Sequence, residues 1–335
     1  MRLTDRAIRR QPIGKLMRRP TIGILAPASK PSEQALCDTR TLLHARGYGT
    51  RLLGLDQAHL ARTNAGDRLR AARLHEAFTD PDIDLVLCVR GGYGSGRIVD
   101  LLDFDLIARH PKPLVGYSDV TYLLFALYHQ AGLASIHGPC GAELSGLREP
   151  HAVRALFDVL HGRCTGYRLN HAQCRPLRVG HAVGPLLGGN LTILSSMMGT
   201  ACGRIPEGAI LFLEDVNEYL YQQDRALTHL RRCGILERAS AIIVGRTPVK
   251  DPSGEVNSLG HSFTCMLQDR LADLEVPIVS EFPCGHTRDQ LSLPFGALSQ
   301  LQVSAHEVRL DFANPFANRD CTAATTMPTV SSGVE

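Results

Sequence analysis

Three polar residues stand at points where a short apolar run ends, and their types suit nucleophilic catalysis. Ser118 follows the run 114–117, Glu214 follows the run 211–213, and His286 stands on a loop after a later run. A serine hydroxyl attacks a carbonyl carbon only when a base takes its proton, and a third group must orient that base. These residues are therefore candidates for nucleophile (Ser118), base (His286) and orienting acid (Glu214).

Each candidate also has an ordinary structural explanation. Ser118 and Asp119 at the start of a helical pattern would make a good helix N-cap. The segment departs from the G-x-S-x-G pattern of a nucleophile elbow, because Val120 stands where the second glycine would be. Glu214 could cap the segment that follows it, and a lone histidine among 14 is usually structural. The residue pattern alone leaves both interpretations open.

A glycine-rich segment, RGGYGSG at residues 90–96, follows another apolar run. It lacks the Gly-Lys-[Ser/Thr] ending of a phosphate-binding P-loop, and its glycines do not fit G-x-G-x-x-G. Glycine also lets the main chain approach a carbonyl oxygen closely, so that backbone N–H groups can stabilise an oxyanion. We prefer this second role to nucleotide binding.

The elements that must position these residues alternate between strand and helix in the first half of the chain. Parallel strands joined by helices form a sheet covered on both faces, and ligands bind at the carboxyl ends of its strands. The pattern predicts strands at 21–28, 50–55, 84–89 and 114–117, and helices at 32–46 (capped by Ser32), 67–78 (opened by Asp67), 95–108 and 119–131.

A second alternating region begins near residue 185, after a stretch with a weak pattern. It predicts strands at 211–213, 241–245 and 277–280, and helices at 222–233 and 261–272. The predicted organisation is a flexible basic leader (1–19), an N-terminal nucleophile domain (20–145), a linker (146–180), a C-terminal domain carrying the glutamate and the histidine (181–315), and a flexible tail (316–335).

The composition of the 335 residues excludes several classes of protein. A net charge of +3, with basic residues spread along the chain, argues against nucleic-acid binding. No apolar run is long enough for a membrane span, and arginines interrupt any secretory signal in the first 20 residues. The ten cysteines form no C-x-x-C pair, which suits reduced thiols in a cytoplasmic protein. Five Cys and His residues could also form a metal site, but we favour reduced thiols because their spacing matches no structural zinc pattern. These residues are His161, Cys164, His171, Cys174 and His181.

Taken together, seven motifs between residues 20 and 312 resemble those of the LD-carboxypeptidases, also called muramoyltetrapeptide carboxypeptidases, which include the microcin C immunity peptidases. The motifs occur in the order of that family. They are APAS at 26–29, RGGYG at 90–94, GYSDVT at 116–121, HGP at 137–139, GGNL at 188–191, LEDV at 213–216, and GH at 285–286 followed by LPFG at 293–296.

The resemblance implies a flavodoxin-like, parallel-sheet N-terminal domain and a smaller α/β C-terminal domain, with the site between them. It implies a Ser118, His286 and Glu214 triad and no cofactor or metal. The oxyanion donors would be the backbone N–H groups of Asp119 and of a glycine in the 91–92 pair, with Gly92 preferred. The family also suggests a homodimer.

The substrate implied by the resemblance is the murein tetrapeptide of cell-wall recycling, which would lose its terminal D-alanine. Arg90, Tyr93, Arg97 and Arg288 are the candidates for substrate contacts, and any of the three arginines could pair with the terminal carboxylate. One alternative is an immunity peptidase that cleaves a peptidyl-nucleotide; the 5% aromatic content and the absence of Trp make a base-stacking pocket less favoured. Another is a non-catalytic small-molecule-binding protein, which would not need the three triad residues together.

Overall fold

The framework of the protein is a pair of β-sheets, of six and eight strands. The computed structural model describes residues 8, 9, 11, 19–56, 61–144, 150–250 and 260–317. Within these residues, the buried apolar side chains of both sheets and of the helices that cover them form one continuous core. The two halves of the chain therefore pack against each other extensively.

The first half forms five of the six strands of the six-stranded sheet. Its elements are β1 (Thr21–Leu25), α1 (Glu33–Ala45), β2 (Gly49–Leu53), α2 (Asn64–Thr79), β3 (Leu85–Cys88), α3 (Phe104–Arg109), β4 (Leu114–Gly116), α4 (Thr121–Ala126) and β5 (Ser135–His137). Five parallel strands lie in the order β2-β1-β3-β4-β5. This is the strand order of flavodoxin-like folds, which confirms the predicted fold class of this half.

Local sequence explains where the first helices begin. The hydroxyl of Ser32 accepts a hydrogen bond from the N–H of Ala35 at 3.1 Å and caps α1, as predicted. Helix α2 begins earlier than predicted, because the hydroxyl of Thr63 accepts from the N–H of Gly66 at 3.1 Å. Asp67 lies in the first turn of α2 and does not open it.

The predicted helix at 95–108 is broken into shorter pieces. Two single turns of 3₁₀ helix, Ser95–Arg97 and Val99–Leu101, come before α3. The carboxylate of Asp103 accepts from the N–H of Leu106 at 2.8 Å, and this capping bond starts a new helix. Periodicity alone does not reveal such a restart, since the apolar spacing runs through it.

Among the described residues, the second half forms all eight strands of the eight-stranded sheet. Its elements are α5 (Pro150–Leu160), β6 (Gly166–Asn170), β7 (Arg175–Arg178), β8 (Gly180–Asn190), α6 (Leu191–Ser196), β9 (Ile210–Glu214), α7 (Leu220–Arg232), α8 (Ile235–Arg238), β10 (Ala241–Gly245), α9 (Phe263–Arg270), β11 (Ile278–Phe282), β12 (Leu293–Phe295), β13 (Leu298–Val303) and β14 (Glu307–Phe312). The sheet order is β6-β14-β13-β8-β9-β10-β11-β7, with β8 to β11 parallel. Strand β12 instead pairs antiparallel with β5 and joins the first sheet.

The stretch 146–180, interpreted from the sequence as a linker, contains a helix and two strands where the structure describes it. Strand β6 pairs with β14, and β7 pairs with β11, both antiparallel. These are the outermost strands of the eight-stranded sheet, and most of their side chains are partly or fully exposed. An edge strand needs few apolar residues, so its pattern is weak in the sequence. The domain boundaries themselves remain a prediction.

Parts of the predicted leader and tail pack against the body of the protein. The N–H of Gln11 donates to the carbonyl of Pro315 at 2.9 Å, and the guanidinium of Arg9 donates to the carbonyl of Ala108 at 2.9 Å. Phe316 is buried. The flexibility of the leader and the tail remains a prediction, and most of those residues lie outside the described part of the chain. Among the described helices, none has the length and apolar character needed to cross a bilayer.

Candidate active site

The carboxyl ends of strands from both sheets meet at one place. Ser118 comes two residues after the end of β4, Glu214 is the last residue of β9, and His286 follows β11 by four residues. The ring of Tyr117, which directly precedes Ser118, lies against the imidazole of His286 with 4.6 Å between ring centroids. The structure thus brings the serine turn of the first half to the glutamate and histidine of the second.

Ser118 stands on a strained turn between strand and helix. Its φ is +62°, a left-handed conformation that costs a non-glycine residue roughly 1–2 kcal/mol. The turn is a single turn of 3₁₀ helix, Ser118–Val120, that leads directly into α4. Strain of this kind persists where the surrounding structure imposes it, often at functional sites. The turn presents the half-buried serine side chain at the edge of the sheet.

Glu214 and His286 form a buried carboxylate–imidazole pair. The Nδ1 of His286 lies 2.7 Å from Oε2 of Glu214, whose side chain is fully buried. Burial by itself raises the pKa of the Glu214 carboxyl, but the imidazoles of His286 and His137 outweigh burial and lower the pKa to about 2. Glu214 is therefore an acceptor at neutral pH, and a proton on Nδ1 of His286 points to it. The Nε2 of His286 is then the nitrogen with a lone pair for a reacting proton.

Gly285 makes the close approach of this pair possible. Its φ is +86°, and a Cβ built on it would lie 2.5 Å from Oε2 of Glu214. Any larger residue would both strain the backbone and displace the carboxylate. The Gly285-His286 dipeptide therefore places an imidazole directly beside the buried glutamate.

The glycine-rich loop lies against the serine turn. A Cβ built on Gly91 would come within 3.3 Å of Oγ of Ser118, so the main chain of the loop faces that side chain. Ser29 holds the loop from the other side: its N–H donates to the carbonyl of Gly91 at 3.1 Å, and its hydroxyl accepts from the N–H of Tyr93 at 3.1 Å. Gly92 lies between these two anchored residues with a φ of +106°.

The change Gly92→Ala is expected to lower kcat by about 10²-fold, the usual loss when one oxyanion donor is displaced. The added Cβ would lie 2.2 Å from Oγ of Ser29, so the loop must move. The matched control is Gly47→Ala, because Gly47 has a φ of +86° and nothing within 4 Å of an added Cβ. It should lose stability but keep its kcat. Steady-state kinetics and thermal unfolding of both variants check this, and an unchanged kcat in a folded Gly92→Ala protein would contradict it.

Asp119 ties the serine turn to the same loop. Its buried carboxylate accepts from the N–H of Ser95 at 2.8 Å, and its backbone carbonyl accepts from the Ser95 hydroxyl. Burial raises the pKa of Asp119 above its ordinary value, and the Ser95 hydrogen bonds offset part of that rise. The side chain of Asp119 is thus structural here, and its backbone N–H lies at the start of the helical turn.

The four residues predicted to contact substrate lie in different environments. The Arg97 guanidinium forms hydrogen bonds to the Asp67 carboxylate, including Nη2 to Oδ2 at 2.7 Å. Arg90 is exposed and donates to the carbonyl of Lys30 at 3.2 Å. Tyr93 is 60% exposed at the tip of the glycine-rich loop, and Arg288 is exposed two residues after His286. Their contacts with substrate remain predictions.

Two residues that lie beside the candidate site, His137 and Asn190, received no role in the sequence analysis. His137, the last residue of β5, places its Nε2 3.8 Å from Oε1 of Glu214. Asn190 ends β8 beside Glu214 in register, and its amide donates to the carboxylate of Asp215 at 2.8 Å. The sequence does contain a signal for both residues, because His137 and Asn190 also stand where short apolar runs end.

The Cys/His cluster considered as a metal site has other contacts. His161 forms a 2.5 Å hydrogen bond with the hydroxyl of Tyr48, and the thiol of Cys164 donates to the carbonyl of Gly166 at 3.5 Å. Across the residues that the structure describes, no three or more His, Cys, Asp and Glu side chains are grouped so that they could hold a metal ion.

The protein has a flavodoxin-like domain and a second α/β domain. The two domains meet at a serine turn and a buried carboxylate–imidazole pair, which is an arrangement typical of hydrolases. Comparison with family models supports this class in both halves. The model of the LD-carboxypeptidase N-terminal domain matches residues 22–138, and that of the C-terminal domain matches residues 183–301. The chain belongs to the LD-carboxypeptidase family.

Individual relatives agree with this assignment. The murein tetrapeptide carboxypeptidase of Pseudomonas aeruginosa is 34% identical over 290 residues, which cover 84% of this chain and 92% of that protein. The crystal structure of muramoyltetrapeptide carboxypeptidase from Oxalobacter formigenes superposes with a TM-score of 0.78 at 30% identity, covering 88% and 98% of the two chains. The microcin C7 self-immunity protein MccF of Escherichia coli is 27% identical over 256 residues, or 68% and 73% of the two chains.

Proposed function

We propose that this protein is a serine LD-carboxypeptidase that removes the terminal D-alanine from murein tetrapeptide in cell-wall recycling. The observation that carries the proposal is the 2.7 Å contact between Nδ1 of His286 and Oε2 of Glu214, next to the turn that bears Ser118. A buried carboxylate that orients an imidazole beside a serine is the arrangement used for acyl transfer on several unrelated folds. The names of the similar proteins supply the substrate class.

In the proposed mechanism, Nε2 of His286 takes the proton of Ser118 while Glu214 holds the imidazole in the required tautomer. The serine oxygen attacks the carbonyl carbon of the bond to D-alanine. The backbone N–H groups of Gly92 and Asp119 stabilise the resulting oxyanion, at about 3–4 kcal/mol per donor. The intermediate collapses, and His286 returns the proton to the departing amine of D-alanine. Water then hydrolyses the acyl-enzyme by the same proton transfers.

The first test is incubation of the protein with purified murein tetrapeptide and measurement of free D-alanine. We expect D-alanine and tripeptide in equal amounts. A parallel incubation uses an aminoacyl-nucleotide analogue, the kind of substrate that the immunity-peptidase alternative requires. Cleavage of the analogue with no release of D-alanine would contradict the proposed substrate and favour that alternative. No cleavage of either compound would favour a binding protein.

A cytoplasmic location and a homodimer are also part of the proposal. All nine cysteines that the structure describes are free thiols, which suits a reducing compartment. Sedimentation of the purified protein measures the oligomeric state directly, and cell fractionation measures the location.

A further inference from the structure

His137 occupies a position that the proposed triad does not explain. It ends β5, where it pairs in register with Gly116 of β4 and Leu293 of β12, and its side chain is fully buried. Its Nε2 lies 3.8 Å from Oε1 of Glu214. This is the carboxylate oxygen that His286 does not bind, because Nδ1 of His286 contacts Oε2. The carboxylate therefore stands between two imidazoles, one from each half of the chain.

Hydrogen-bond chemistry determines which form of His137 suits this position. Among the described residues, Oε1 of Glu214 and both ring nitrogens of His137 have no protein hydrogen-bond partner. A carboxylate oxygen only accepts, so the His137 nitrogen that faces it must carry a proton. A separation of 3.8 Å is too long for a hydrogen bond, but it allows a strong charge–dipole attraction in a buried site. An approach of about 1 Å would turn this attraction into a hydrogen bond.

Aromatic side chains hold the His137 ring in this orientation. The ring of Phe212 meets it edge-on at 4.9 Å between centroids, and the ring of Tyr117 meets it edge-on at 5.8 Å. Tyr117 also lies against His286 and donates from its hydroxyl to Oε1 of Glu143 at 2.5 Å. Tyr117 thus contacts both imidazoles, and the packing of Phe212 and Tyr117 restricts rotation of the His137 ring away from the glutamate.

We propose that His137 is a positioning residue, whose Nε2–H holds Oε1 of Glu214 so that Oε2 stays directed at Nδ1 of His286. The proposal rests on the proposed function, since it assumes that the Glu214–His286 pair has a catalytic task. His137 belongs to the first half of the chain, whereas Glu214 and His286 belong to the second. The correct setting of the base therefore depends on how the two halves dock.

Loss of the His137 imidazole should change the titration of the pair in a defined direction. With one fewer N–H group nearby, the negative charge of Glu214 acts more strongly on His286 and favours its imidazolium form. The enzyme needs neutral His286 as a base, so the acidic limb of the kcat/KM profile should move to higher pH. The other titratable groups beside Glu214 are Asp215 and the Cys284 thiol. Burial and the charge of Glu214 raise the pKa of both above their ordinary values.

The experiment compares wild type with His137→Phe, His137→Asn and His137→Gln. Phenylalanine keeps a ring but offers no donor, asparagine is too short to reach Oε1, and glutamine can present an amide N–H in its place. We expect kcat to fall about tenfold or more in the Phe and Asn variants, with little change in KM. The acidic limb of the kcat/KM profile should move up by about half a pH unit or more. The Gln variant should restore part of the lost kcat and part of the shift of the acidic limb. Thermal unfolding identifies any variant that fails to fold. Both the Phe and the Asn variant lack a donor within reach of Oε1, so the test stays decisive if one of them fails to fold.

The matched control is His129→Gln, which removes a histidine of the same domain. His129 binds the carbonyl of Arg204 at 2.7 Å and has no contact with the proposed triad among the described residues. It should keep the wild-type kcat and pH profile. A folded His137→Phe or His137→Asn protein with wild-type kcat and an unmoved acidic limb would overturn the proposal.

A second measurement needs no substrate. The Nδ1 proton of His286, bound to Glu214, should give a low-field proton resonance whose position and titration change in the His137 variants and not in His129→Gln. An unchanged resonance would also overturn the proposal. If the wild type releases no D-alanine, the proposed function fails, and this resonance still tests whether His137 positions the pair.

Discussion

The change Ser118→Ala is expected to lower kcat/KM for D-alanine release by roughly 10⁴- to 10⁶-fold, as loss of the nucleophile does in other serine hydrolases. Alanine keeps the Cβ and removes only the oxygen that attacks the carbonyl. Binding of the substrate and the oxyanion donors should survive, so a small residual rate remains. The measurement is D-alanine release by wild type and variant under the same conditions.

The matched control is Ser304→Ala, because Ser304 lies in an exposed turn where its hydroxyl contacts Glu307. It should keep wild-type activity. A Ser118→Ala protein with activity within tenfold of wild type would rule out Ser118 as the nucleophile and return it to the role of a helix cap.

The same position allows a stability measurement of the backbone strain in this turn. Because φ of Ser118 is +62°, Ser118→Gly should relieve backbone strain and be more stable than Ser118→Ala by about 1–2 kcal/mol. Both variants should be equally inactive. Equal unfolding free energies of the two variants would show that the turn stores no strain.

The second large effect is expected for Glu214→Gln, which should lower kcat by about 10³- to 10⁴-fold. Glutamine keeps the size of the side chain, but it has no negative charge to stabilise the imidazolium and can favour the wrong tautomer of His286. The matched control is Glu237→Gln, which makes the same chemical change in a partly exposed ion pair with Arg231. Steady-state kinetics of both variants check the prediction, and a Glu214→Gln enzyme that keeps more than a tenth of wild-type kcat would contradict it.

The pKa of Glu214 also predicts how this variant responds to pH. The pKa is about 2 in the folded protein against an ordinary 4.5, so the unfolded chain binds more protons between these values. The contribution of the ionised Glu214 is therefore complete above about pH 4.5 and is lost as the pH falls towards 2. The unfolding free energy of wild type minus that of Glu214→Gln should decrease through this window. A difference that stays constant from pH 6 to pH 2 would contradict the depressed pKa.

Much of the fold could be predicted because its central strands are buried on both faces. Each of these strands is a short apolar run in the sequence, and each lies close to its predicted position. They are β1, β3, β4, β9 and β10. The predicted helix at 95–108 and the linker at 146–180 were different in the structure. Both depend on partners distant in the chain or on a capping bond, and neither leaves a strong periodic pattern.

The candidate site shows the same division. Ser118, Glu214 and His286 could be selected from the sequence because each follows an apolar run, and the carboxyl ends of parallel strands carry binding sites. His137 follows an apolar run as well, yet the sequence offered no reason to connect it with Glu214, which is 77 residues away in the numbering. Their proximity depends on the docking of the two sheets.

The types of the reacting residues and the strand ends on which they stand can be inferred from local sequence, because a buried β-strand requires a short run of apolar residues. Three features appear only in the folded protein: one carboxylate lies between two imidazoles, Tyr117 contacts both of those imidazoles, and β12 pairs with β5 of the other sheet. These contacts join residues far apart in the chain, and their distances follow from the packing of two domains. Local periodicity carries no information about such packing.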